Sequence, residues 1–76
     1  MNESEWLDAM AVSRMLCVER STVWHYASTG RLPADGRMFD RPVWHVATVR
    51  AYIAGMSEQG RRRYEQRKAR AAEDAA

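Results

Sequence analysis

The sequence predicts a small α+β domain, mainly α-helical, with a two-stranded hairpin and a basic helical tail. Three observations predict it. Two short amphipathic stretches flank a break at "CVE", and the second is ended by Gly30 and Pro33. Two β-prone runs, "GRMF" and "PVWHV", follow on either side of Asp40-Arg41-Pro42. A further apolar series then leads into a tail holding half of the basic residues.

Each element has a local cause. Asp8 is a good N-cap for a first helix at about residues 9–16, because its carboxylate can accept a bond from a free first-turn amide. Leu7 and Val12 stand at the two positions of a hydrophobic staple, and Val12, Met15 and Leu16 share one face. "CVE" reads as a tight turn. A second helix is expected from about Arg20 to Thr29. Gly30 ends it by taking the left-handed conformation without steric cost. Two short helices joined in this way match the helix-turn-helix layout.

In the hairpin, the expected turn is Asp40-Arg41-Pro42, and Pro42 confines its strand to an edge or to its own first position. Trp44 is expected as a core anchor, with Trp6 covering one end of that core. Val49, Tyr52, Ile53 and Met56 recur at helical spacing and predict a third helix weakened at its far end by Gly55 and Gly60. The tail "RRRYEQRKARAAEDAA" is rich in helix formers, but its arginines crowd the start and Glu73 and Asp74 lie near the end, against the helix dipole. With few apolar residues, it is expected to fray unless docked on DNA or on a neighbouring copy. The division expected is residues 1–56 for the domain and 57–76 for the tail.

The totals narrow the function. A chain of 76 residues is expected to form one domain, which hides only about 60% of its unfolded surface. A core of that size rarely supplies more than roughly 3–5 kcal/mol. The single cysteine, Cys17, allows no internal disulfide. No apolar run approaches the ~18 residues that span a membrane. The acidic opening "MNESEW" has no leader layout, so a soluble cytoplasmic protein is expected. The net charge is only +2, but it is unevenly spread. Glu3, Glu5 and Asp8 make the front acidic, whereas Arg61, Arg62, Arg63, Arg67, Lys68 and Arg70 crowd the tail. That asymmetry suggests a polyanionic partner, and a merely solvated tail is the alternative.

The second helix carries the sharper signal. At about 100° per residue, Val23, Tyr26 and Ala27 fall together and point at the first helix. Ser21, His25 and Ser28 fall opposite, flanked by Trp24 and Thr22. Such residues can meet phosphate oxygens or base edges in a major groove, and Arg20 adds charge at the end where free amides already attract phosphate. Arg37 and Arg41 lie on or beside the hairpin turn, where an arginine can enter a narrow minor groove. A capped surface helix and an exposed turn are the alternatives. Catalysis is not expected: His25 and His45 lie far apart, with no nucleophile–base, paired-carboxylate or phosphate-loop arrangement around them. One Cys and two His at no ligand spacing predict no metal, and the Met residues read as core filler rather than a cofactor site.

The stretch "LDAMAVSRMLCVERSTVWHYASTGRLP" resembles the opening of the MerR-like winged-helix domains found in phage excisionases and AlpA-type regulators, and "GR...RPVW...VRAYI" resembles their wing and closing helix. The resemblance covers about residues 6–56. It implies a small winged helix-turn-helix that binds double-stranded DNA. By position, Arg20, Ser21, Thr22, Trp24, His25 and Ser28 match the recognition helix, and Arg37 and Arg41 match the wing. Free-standing members of this size are often excisionases, which bind adjacent sites near a phage attachment site, bend the DNA and direct the integrase towards excision. The implied setting is the cytoplasm of the host bacterium, with neighbouring copies and a phage integrase as partners. Arg61, Arg62, Arg63, Arg67 and Lys68 of the tail would add DNA affinity or self-association. No cofactor, small-molecule ligand or membrane is implied. Many relatives are instead regulators at promoters, and an adaptor that uses its exposed helix or tail on a protein is a third reading.

The chain departs from that pattern at three positions. Cys17 stands where the family usually has Gly, Glu19 where Ser usually caps the recognition helix, and His25 where Arg is common. A glutamate near phosphate and a neutral histidine both lower attraction, so weak binding by a single copy is expected.

Overall fold

The computed structural model describes residues 5–75; Glu3 of the acidic front lies outside them. Among the described residues the chain forms four helices and a three-stranded antiparallel sheet and is mainly helical. In order, these are β1 (Trp6–Leu7), α1 (Ala9–Leu16), α2 (Arg20–Ser28), β2 (Gly36–Met38), β3 (Arg41–His45), α3 (Val46–Ala54) and α4 (Glu58–Ala75).

The first helix begins as its sequence predicts, with Asp8 Oδ1 accepting the Ala11 amide at 2.8 Å. It ends in a left-handed Cys17 (φ 56°, ψ 44°). Val18 N–H reaches Ser13 O at 3.0 Å and Cys17 N–H reaches Arg14 O at 3.3 Å, the two bonds of a Schellman stop. The turn thus keeps the left-handed geometry of a glycine although it holds a cysteine, at a strain of about 1–2 kcal/mol. After α2 the left-handed residue is a glycine, Gly30 with φ 80°, one position beyond the right-handed Thr29.

Ala9, Val12 and Leu16 of α1, Val23 of α2, Leu32, Trp44 of β3 and Val49 of α3 form the core. Trp44 is fully buried as expected, and its indole N–H donates to Leu32 O at 3.1 Å. Leu7, Met15, Val18, Tyr26, Ala27, Tyr52, Ile53 and Met56 pack around this cluster.

Four expectations outside the tail need correction. The hairpin turn is Phe39-Asp40, one residue earlier than expected, because Met38 pairs with Arg41 and Arg37 with Pro42. Both turn residues have positive φ (51° and 62°), which matches the twist of a two-residue hairpin. Pro42 is the second residue of the central strand rather than an edge residue. It is tolerated there because Arg37 and Pro42 form a non-hydrogen-bonded pair, which turns the Pro42 nitrogen away from β2, and because β1 meets β3 only at Trp44 and His45 and does not reach it on the other side. Val46 starts α3 instead of ending the strand, with its N–H on Glu5 O at 3.0 Å. Trp6 lies outside the core cluster: it sits in β1 opposite His45, with the two rings 3.8 Å apart, and packs over Gly36, where an added Cβ would meet the indole at 3.4 Å.

The tail is a helix along its described length rather than a frayed one, because two arginines and a tyrosine fasten it. Tyr64 is buried. Arg61 Nη2 donates to Ala54 O at 3.0 Å and to Ile53 O at 3.4 Å, and Arg67 Nη2 donates to Leu16 O at 3.5 Å. Leu16 is the last residue of α1 and Ala54 the last of α3. The tail arginines therefore meet the orphan carbonyls at the negative ends of two helix dipoles.

Replacing Cys17 by Gly removes the left-handed strain but adds chain entropy to the unfolded state. The expected net gain is up to about 1 kcal/mol, or roughly 4–8 °C in Tm by thermal unfolding. An unchanged or lower Tm would show that the Cys17 side chain stabilises the turn by as much as its backbone strains it.

Candidate nucleic-acid interface

Helix α2 shows the two faces that its spacing predicts. Val23 is fully buried, and Tyr26 and Ala27 are half-buried against the core. Ser21, His25 and Ser28 are exposed, Thr22 is half-buried, and Trp24 keeps 44% of its surface in solvent. The Ser28 hydroxyl donates back to His25 O at 3.0 Å, which leaves its oxygen able to accept but commits its proton. Glu19 makes no side-chain cap, so the first-turn amides of α2 have no carboxylate or hydroxyl acceptor of their own.

Across from α2 stands the hairpin. Arg41 and Pro42 line a cleft of about 390 Å³ with Arg20 and Trp24 of α2 and with Asp8, Ala9 and Met10 at the start of α1. Arg20 and Arg41 are both exposed, and neither forms an ion pair with a described residue. The lone carboxylate in the lining, Asp8, is engaged in capping α1. The cleft thus has a cationic rim, an apolar floor and a neighbouring helix N-terminus. That combination suits a phosphodiester backbone, with Trp24 against its apolar parts.

Arg37 is exposed on β2 opposite Pro42 and does not line the cleft. Tail residues fall into two groups. Arg61 and Arg67 are committed to helix ends, as described above. Arg62 makes an exposed pair with Glu58 at 3.3 Å, Lys68 Nζ lies 5.9 Å from the Tyr64 ring, and Arg63 is exposed. Sequence reasoning missed Met10 and Pro42 as part of the cleft, because their contribution follows from how α1 and β3 meet. Among the described residues no helix is long and apolar enough to cross a membrane, and no three metal-binding side chains cluster.

No family model, curated protein or solved structure matches the chain.

Because Arg41 is exposed and unpaired, Arg41→Ala is expected to change stability by less than about 0.5 kcal/mol. If the cleft holds a phosphodiester backbone, the change lowers affinity for duplex DNA at low salt, with a log–log salt slope shallower by about 0.9. An unchanged gel shift would remove the hairpin from the interface.

Proposed function

We propose that the chain is a winged helix-turn-helix DNA-binding protein of the excisionase type. In this reading α2 enters the major groove, the β2–β3 hairpin is the wing, and bound copies bend DNA near phage attachment sites so that an integrase is directed towards excision. The observation that carries it is the cleft in which Arg20 and Trp24 of α2 meet Arg41 of the hairpin, two elements separated by the Thr29–Asp35 connection. A helix and a strand that present unpaired cations to one groove are arranged to straddle a single polyanion.

The occupants of the interface favour cooperative binding by weak units. Apart from Arg20, the outer face of α2 offers hydroxyls, a histidine and a tryptophan, with no second charge for phosphate. The outer face of α2 therefore contributes few phosphate contacts by itself, and copies bound side by side would add theirs together. Exposed Arg62, Arg63, Lys68 and Arg70 of α4 supply a further cationic surface for DNA or the next copy. Contacts of that head-to-tail kind build an open row rather than a closed pair.

The test is a gel-shift titration on DNA from phage attachment arms and on promoter DNA. A steep ladder of several complexes on the arm DNA is the expected result. One sharp complex on promoter DNA alone would instead assign the chain to transcriptional regulation, and no complex on either would remove DNA from the account. In the same assay, exchanging Arg62, Lys68 and Arg70 for Gln is expected to flatten the salt slope, each lost phosphate contact removing about 0.9. Arg61 and Arg67 are left in place because they hold α4 to the domain. An unchanged slope would make the tail a protein-contact element.

A further inference from the structure

We propose that Phe39 is a wedge: when the hairpin docks, its ring enters the DNA minor groove and partly unstacks one base step, producing the bend. The proposal rests on the DNA-binding reading above and adds to it the residue that deforms the duplex.

Phe39 is anomalous in two independent ways. The residue is 97% exposed, whereas the other exposed large apolar residues among those described, Trp6, Met10, Trp24 and Met38, are each at least half covered. Its backbone is left-handed, with φ 51°, at a turn position where Asn or Gly is favoured. A bulky aromatic residue in that region is a genuine outlier. The ring therefore buries almost nothing in the fold, while its backbone carries strain that a glycine would relieve. Strain held without a packing return is the kind of feature that points to a functional role.

The surroundings identify what covers the ring. Arg37 and Arg41 stand on the two strands beside the turn, exposed and without ion pairs to described residues. Met38, next to Phe39, adds a second partly exposed apolar side chain. The partner must be anionic at its edges and apolar in a narrow slot. A duplex minor groove, about 6 Å wide and walled by phosphates over stacked bases, has that form. The hairpin is thinnest at its tip, where only Phe39 and Asp40 separate the paired residues Met38 and Arg41. Arg41 also lines the cleft shared with Arg20 and Trp24, so the tip adjoins the face proposed to grip DNA. Asp40 opposes phosphate at the same turn, and the two arginines outnumber it. Apolar side chains inserted between base steps kink DNA by about 20–90°.

Two variants test the wedge. Phe39→Gly relieves the turn, so its Tm is expected to rise by a few degrees. Phe39→Leu keeps an apolar wedge. Ligase-mediated ring closure is measured on a mixed-sequence DNA fragment of about 150 bp, one persistence length, at equal protein saturation judged by gel shift. Wild type and Phe39→Leu are expected to speed closure about tenfold, and Phe39→Gly to fall within about twofold of naked DNA. Equal closure by wild type and Phe39→Gly would overturn the wedge and leave DNA binding intact. Wild-type protein that binds without speeding closure would do the same. If wild type fails to retard DNA at all, the DNA-binding reading falls and the wedge falls with it. A Phe39→Gly variant that bends each site normally but loses cooperativity would assign Phe39 to a neighbouring copy and refute the wedge.

Discussion

The arrangement depends on Trp44. Its indole fills the centre of the core, and its N–H holds Leu32 O in the segment that follows α2. The same residue belongs to β3, three positions after Arg41. One side chain therefore ties the connection leaving α2 to the strand that carries the hairpin cation. Asp35 makes a second tie within that connection, with its Oδ2 accepting the His45 amide at 2.8 Å and its own amide donating to Val43 O at 2.9 Å. These ties add to the packing of α1 against both α2 and β3, which also holds Arg20 and Arg41 in place. Two cations remote in sequence thereby line one cleft.

Around that anchor the chain distributes charge by structural role. Arg61 and Arg67 face the carbonyl ends of α3 and α1, where the backbone itself is the partner. Arg31 packs over the Tyr26 ring at 4.6 Å and donates to the Tyr52 hydroxyl at 2.8 Å, closing the side of the domain beneath α2. Arg20, Arg37 and Arg41 are left exposed beside apolar surface. A net charge of +2 conceals this division, because cations that stabilise helix ends and cations that face solvent count alike. The proposed DNA interface is the solvent-facing set, and the tail contributes to the domain's integrity before it contributes to any partner.

Much of the fold was legible because its signals are local. Asp8, the Val12–Met15–Leu16 face and the Gly30 stop fix α1 and the end of α2 within a residue or so. The outward set on α2 followed from helical geometry alone. What escaped notice depends on partners distant in sequence. The two-residue strand β1 exists because Trp6 and Leu7 meet His45 and Trp44, and nothing in "EWLD" marks it. The turn shifted because pairing register outweighed the usual dislike of phenylalanine for positive φ. Docking of α4 turns on Tyr64 and on arginine–carbonyl contacts, which composition reads only as charge. Cys17 shows the opposite lesson: the departure from glycine was visible, but the backbone keeps the left-handed turn.

If the outer face of α2 and the hairpin form one DNA-binding surface, duplex DNA perturbs both together. The measurement is of amide and indole N–H shifts of ¹⁵N-labelled protein during titration with duplex DNA. The largest shifts are expected at Arg20, Ser21, Arg37 and Arg41 and at the Trp24 indole, while the buried Trp44 indole stays still. Shifts confined to α4, or a Trp24 indole as unmoved as that of Trp44, would contradict that shared surface.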